Sequence, residues 1–338
     1  MLLIAAVGVV LVISLTIPIA LRPLLVRRGI VDIPNDRSSH NYRAIRGVGV
    51  GPLLAVVVGL AILAFGTADV AERALVWVIL SVCAASGLLG WLEDTRGVPV
   101  VLRASGQLVI GITGAAVVIA TVDGSWWLIP VFGLWIAAYM NVTNFMDGVN
   151  GISGLHGVVV GIAYALLGVL MGIDWLTIAG SILAVAFAGF LPWNVIGKGM
   201  FLGDVGSYLL GGAVAVIAVA AIVSGAPILA VVGPLTIYLA DTGVTLMRRV
   251  ARGERWFEAH RSHVYQRLTD YGLSHLQAAL IVTSASAVAG ALGLFSTVVV
   301  PEYIAILVAA MALVIAGYFV LAVGLHRKTA TNPGGSFK

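Results

Sequence analysis

The stretch FLGDVGSYLLGGAVAVIAVAAIVS, residues 201–224, decides how the chain is read. Its apolar run is as long as a membrane helix, since a hydrocarbon core of about 30 Å takes about 20 residues. Asp204 stands at the start of that run. Lipid excludes bare charge, so an acidic residue there either complements the helix N-terminus or faces a polar site. Both roles can be held together, one oxygen capping while the other binds a metal. Working outward, Glu93-Asp94, Asp147 and Asp241 also lie at or near the ends of apolar stretches. Several carboxylates converging on one face suggest a divalent cation and, with it, phosphate chemistry.

The 338 residues are 60% hydrophobic and 10% charged, with a mean hydropathy of +1.08. A soluble domain carries about 25% charged residues, so a large soluble core is excluded in favour of a polytopic membrane protein. The lone cysteine, Cys83, sits in an apolar run and rules out a disulfide within the chain. The first 21 residues have neither a basic leader nor a small-residue cleavage site and read as a first span. Eleven spans are predicted: roughly 2–21, 47–66, 74–92, 105–122, 126–143, 154–173, 175–191, 206–224, 228–246, 275–297 and 303–323. The expected fold is therefore all-α, with one membrane domain over 1–325 and a disordered tail over 326–338.

Alternating the loops puts eighteen of the nineteen Lys and Arg on one side, leaving only Arg73 opposite. By the positive-inside rule the N-terminus is periplasmic and the C-terminus cytoplasmic. The basic excess is a mark of topology and gives no reason to expect nucleic acid. It also suits anionic lipid head groups and nucleotide phosphates.

The carboxylates fall in the cytoplasmic loops. The first loop, Val31 to Arg46, is densely polar and contains Asp32, Arg43 and Arg46, which suits an anion or a merely solvated loop. In the second, Glu93 and Asp94 are adjacent, so they either share a cation and a proton or mark a helix end. In the third, Asn141, Asn144 and Asp147 recur at intervals of three and would share a helix face toward a hydrophilic cleft. The fourth carries Asn194, Lys198 and Phe201 before Asp204. The fifth, 247–274, carries His260-Arg261-Ser262-His263. An arginine between histidines suits a diphosphate better than a metal.

Taken together and in this order, these loops resemble the polyprenyl-phosphate N-acetylhexosamine-1-phosphate transferase superfamily. The matching stretches are Asp32–Gly51, Glu93-Asp94, Asn141–Gly154, Phe201–Gly212 and Asp241 to His263. Ala259 to Gln266 looks closest to the branch that initiates O-antigen and capsule synthesis. The resemblance implies a bacterial inner-membrane enzyme that moves a sugar 1-phosphate from a UDP-N-acetylamino sugar to undecaprenyl phosphate, releasing UMP. It implies Mg²⁺, with Mn²⁺ as an alternative, and is compatible with a homodimer. By the same resemblance Asp204 is the metal ligand, with Asp147 beside it, and Glu93-Asp94 activate or position the lipid phosphate. Asn144 and Asp147 bind nucleotide-sugar and order the metal site, and Asn194 and Phe201 contact uracil. His260, Arg261 and His263 meet the phosphates. Asp32, Arg43, Arg46, Lys198 and Asp241 complete the substrate-binding set. This chain departs from the family in having Glu93 where an aspartate is usual, and in the Arg261-Ser262 inside its histidine motif.

The competing classes are a lipid transporter or flippase, and a transferase acting on CDP-activated alcohols. A transporter would place ionisable groups near the bilayer midplane, often in repeated halves. Here the span interiors are almost free of charge. The CDP-dependent class would want several aspartates at helical spacing in one segment, and none is found.

Overall fold

A computed structural model of the chain describes residues 2–32, 44–196, 199–254 and 261–331. The helices are α1 (Leu2–Arg27), α2 (Val50–Gly66), α3 (Val70–Arg96), α4 (Val100–Thr121), α5 (Ile129–Met146), α6 (Ile152–Met171) and α7 (Asp174–Val195). They continue with α8 (Gly203–Val223), α9 (Ile228–Val232), α10 (Thr236–Ala251), α11 (Val264–Asp270), α12 (His275–Phe295) and α13 (Ile304–Thr331). Among the described residues, ten helical segments are long and apolar enough to cross a membrane, and the 17-residue α2 brings the set to the eleven expected. The protein is an all-α, multi-pass membrane protein. Its outer faces are correspondingly apolar: Ile306, Leu313 and Val320 stand exposed at seven-residue intervals along α13, a stripe that only lipid would cover without cost.

The core is built around α8. Every residue from Val205 to Ala221 is buried, as a helix apolar on all sides requires. Helices α3 and α5 make its most extensive contacts. Small residues let the backbones meet: a Cβ on Gly90 of α3 would lie 2.1 Å from the Asp204 carbonyl, and one on Gly211 would lie 2.5 Å from the Cα of Met140. Such close approach supplies the packing that a hydrophobic driving force cannot supply inside lipid. A second apolar cluster joins Met146, Val149 and Ile152 to α10–α13. The two clusters meet where α5 ends and α6 begins.

Three expectations are corrected. The span predicted over 228–246 is interrupted by a 3₁₀ turn at Gly233–Leu235, because Pro234 has no N–H to continue the helical ladder. The span predicted from residue 47 starts at Val50; Gly47 is left-handed at φ 76°, and the Val48 and Gly49 amides donate instead to the carbonyls of Phe201 and Leu202. Helix α13 runs on to Thr331, past the start of the predicted tail. The α6–α7 connection is as short as the sequence suggests: Gly172, at φ 68°, ends α6 and α7 begins at Asp174.

At one end of the bundle, β1 (Val31–Asp32) pairs antiparallel with β2 (Ala44–Ile45), and Ile45 forms a parallel bridge to Met200. This small knot fixes the entrance of α8 against the loop before α2.

The α6–α7 contact gives a direct test. A Cβ at Gly161 would lie 2.4 Å from the Ala184 backbone nitrogen, whereas one at Gly317 on α13 meets nothing within 4 Å. Gly161→Ala should destabilise the protein by about 1–3 kcal/mol, read as a lower unfolding temperature in detergent, while Gly317→Ala should leave it unchanged.

Candidate active site

The N-terminus of α8 has no capping side chain of its own. Asp94, at the end of α3, supplies one from across the bundle. Its Oδ1 accepts from the Asp204 amide at 3.1 Å and its Oδ2 from the Val205 amide at 3.0 Å. Of the two roles weighed for Asp204, the hydrogen-bonding cap is supplied instead by Asp94, which leaves the Asp204 carboxylate for other partners. Gly203, at φ 73°, makes the approach possible, since a Cβ there would lie 2.5 Å from Asp94 Oδ2.

Asp204 Oδ1 accepts from Asn144 Nδ2 at 2.6 Å, and the same amide reaches Ser207 Oγ at 3.1 Å. Asp204 Oδ2 faces Arg46 at 3.3 Å, and Arg46 Nε lies 3.4 Å from Asp94 Oδ1. Arg46 thus forks between the two aspartates. Asp94 is fully buried, whereas Asp204 retains 14% side-chain exposure.

Asp147 lies just beyond α5, at its C-cap, and not on the helical face shared with Asn144 that the spacing predicted. Its Oδ1 accepts from Ser153 Oγ in the first turn of α6 at 2.6 Å. Withdrawal from water pushes the Asp147 carboxyl up to about 7; the Ser153 hydrogen bond opposes the shift, and the negative charge of Asp204 adds to it. A bound cation would draw it back to the ionised form. Asn141 does not join this row: its Nδ2 donates to Gln107 Oε1 of α4 at 2.6 Å and to the Ala137 carbonyl.

Glu93 closes the turn between α3 and α4. It accepts from the Val98 amide at 2.5 Å and from Arg103 at 2.8 Å. Asn194 is buried and spans two backbones, accepting from the Gly151 amide at 2.5 Å and donating to the Met200 carbonyl at 2.9 Å. Phe201 is half-buried, and its amide donates to the Ile45 carbonyl at 2.9 Å.

Asp241 is fully buried in α10 and organises the histidine loop. It accepts from His263 Nδ1 at 3.2 Å, from the amides of Val264 and Tyr265 at 2.9 and 3.1 Å, and from Tyr318 of α13 at 2.7 Å. It therefore caps α11 and orients the His263 ring. Tyr265 ties α11 to the site by donating to the Phe145 carbonyl at 2.9 Å. Arg261 pairs with Asp270 at 2.8 Å. Arg43, Lys198, His260 and the Asp32 side chain lie outside the described residues.

The donors gathered at this end are hard oxygens, from Asp204, Asp147, Asn144 and Ser207. Among the described residues no group of three or more His, Cys, Asp or Glu side chains could hold a metal unaided. Sequence reasoning passed over Ser153, Ser207, Gln107 and Tyr318. A serine three residues after Asp204, and another opening an apolar span, were signals available locally; Tyr318 had none.

The fold and site define a multi-pass membrane protein that presents carboxylates, amides and a guanidinium at one end of its bundle. The family described as glycosyl transferase family 4 matches residues 76–222 of the chain. The chain is 26% identical over 294 residues to the probable undecaprenyl-phosphate N-acetylglucosaminyl 1-phosphate transferase of Bacillus subtilis, covering 81% of this chain and 80% of the relative. It is 27% identical over 308 residues to the decaprenyl-phosphate N-acetylglucosaminephosphotransferase of Mycolicibacterium smegmatis, covering 77% and 74%. The undecaprenyl-phosphate alpha-N-acetylglucosaminyl 1-phosphate transferase of Escherichia coli K12 is 25% identical over 318 residues, covering 86% and 83%.

Removing Asp94 would strand two α8 amides and take one carboxylate from Arg46. Asp94→Ala should cost about 3–5 kcal/mol, seen as a large drop in unfolding temperature. Glu93→Gln, which keeps a side-chain oxygen for the Val98 amide and Arg103, should lower the unfolding temperature less than Asp94→Ala.

Proposed function

We propose that the protein transfers an N-acetylamino-sugar 1-phosphate from a UDP-sugar to undecaprenyl phosphate at the cytoplasmic face of the bacterial inner membrane. The reaction would initiate O-antigen or another envelope polysaccharide. An oxygen of the lipid phosphate attacks the β-phosphorus of the donor. A new P–O bond forms as the bond from that phosphorus to the bridging oxygen breaks, and UMP leaves with the bridging oxygen and its electrons. A homodimer is compatible with this reading.

The observation that carries it is the Asp204 carboxylate. It opens a helix that is otherwise enclosed by apolar neighbours, yet it is partly exposed and held by Asn144 and Arg46. The names of the relatives support the chemistry. A set of one or two carboxylates with amide and hydroxyl oxygens fits Mg²⁺, which takes its remaining ligands from water and substrate phosphates. Asp204 and Asp147 would hold the ion, and it would supply charge neutralisation at the transferred phosphate.

The chain's own residues do the positioning. Asn144 fixes the orientation of Asp204, and Ser153 fixes that of Asp147. Asp94 holds the α8 N-terminus in place. Asp241 aims His263, which with Arg261 and His260 would meet the donor phosphates. The lipid phosphate is ionised near pH 7, so the demanding task is in-line alignment and stabilisation of the leaving UMP. A site at the bundle end suits this, because a polyprenyl chain can enter from the bilayer and the nucleotide from water.

Purified protein given undecaprenyl phosphate, Mg²⁺ and UDP-N-acetylamino sugars should release UMP, and EDTA should stop it. Absence of UMP with every such donor, from folded protein, would overturn the reading. Asp204→Asn should lower turnover by about a thousandfold or more while leaving the unfolding temperature close to that of the unaltered protein.

A further inference from the structure

Asp204 Oδ2, the oxygen not held by Asn144, is the one that Arg46 covers at 3.3 Å. A guanidinium and a divalent cation cannot both occupy that side of one carboxylate without strong repulsion at such range. In the arrangement seen here Arg46 reaches both Asp94 and Asp204, and a close carboxylate pair lacking a counter-charge in a low-dielectric setting is costly. We propose that Arg46 is the resident counter-ion of the Asp204 carboxylate. An incoming divalent cation displaces it, and the released guanidinium then takes the donor's diphosphate. This inference rests on the transferase reading above.

The geometry suits an exchange. The backbone around Arg46 is pinned: the Arg46 amide donates to the Ile30 carbonyl at 3.2 Å, and Ile45 pairs with Gly199 and Phe201 on the segment leading to Asp204. The side chain beyond this anchor is 37% exposed. A fixed backbone and a partly exposed side chain let the guanidinium move while the Arg46 Cα stays in place. The charge count points the same way. Taken by themselves, two ionised aspartates and Arg46 sum to a single negative charge, and a dication reverses that sign. The planar fork of arginine then matches phosphate oxygens, which a lysine ammonium does so only as a point charge. Cation entry and donor binding are thereby coupled through one side chain.

The test is direct Mn²⁺ binding to purified protein without donor, followed by the electron paramagnetic resonance signal of free Mn²⁺. Arg46→Gln removes the competing charge and should tighten Mn²⁺ binding by about tenfold or more. Arg46→Lys keeps the charge and should bind Mn²⁺ close to the unaltered protein, which separates charge from any disturbance of folding. In turnover, Arg46→Gln should raise KM for UDP-N-acetylglucosamine, or for whichever UDP-sugar proves to be the donor. Mn²⁺ binding that is unchanged or weaker in Arg46→Gln, when the unaltered protein binds Mn²⁺ and releases UMP, overturns the inference and leaves the transferase reading standing. Tighter Mn²⁺ binding with an unchanged donor KM overturns the hand-over to phosphate. No Mn²⁺ binding and no UMP release from the unaltered protein removes both readings.

Discussion

The carboxylate of Asp94 on the first amides of α8 is the contact on which the rest of the site depends. A helix N-terminus exposes donors that need acceptors, and in a membrane bundle water is scarce as a supplier. Here the acceptor comes from a helix more than a hundred residues earlier in the chain. Its effect is to place Asp204 at the rim rather than folded back on its own helix. The contact also sets the position of Arg46, because one Asp94 oxygen serves a backbone amide and the guanidinium together.

Glycine makes this geometry affordable in space. Without a side chain at Gly90 and Gly203, α3 and α8 come close enough for a short aspartate to span the gap. Two further clamps share the logic of Asp94. Asn194 joins the start of α6 to the segment before α8, and Asp241 joins α10, α11 and α13. In each case one polar side chain satisfies backbone groups on an element other than its own.

The spans were legible in the sequence because the bilayer makes a local demand, a run of apolar residues of sufficient length. The interruption before α10 was legible too, in Gly233-Pro234, but an uninterrupted apolar count passes over it. The roles of the carboxylates were much less so. The position of Asp204 allows a cap as well as a polar site, yet the cap comes from Asp94; a partner at a sequence separation of 110 leaves no periodic trace. Asn141 and Asn144 share a spacing but serve different neighbours, since packing against α4 claims the first and Asp204 the second. Asp147 fell off the predicted face because α5 stops one residue before it. The pattern identified which residues are polar at the bundle end; tertiary contact assigned them their work.

Tyr318 gives the outermost helix an unexpected part in this arrangement. Helix α13 shows an apolar stripe to its surroundings, and from its inner face one hydroxyl reaches the carboxylate that aims His263. The same rigid rod therefore touches the hydrocarbon and the histidine loop. A bilayer too thick or too thin for α13 would tilt it, and the tilt would arrive at Asp241 as a pull on a single hydrogen bond. A tilt of α13 would in this way be felt at the end of the bundle that holds Asp241 and His263.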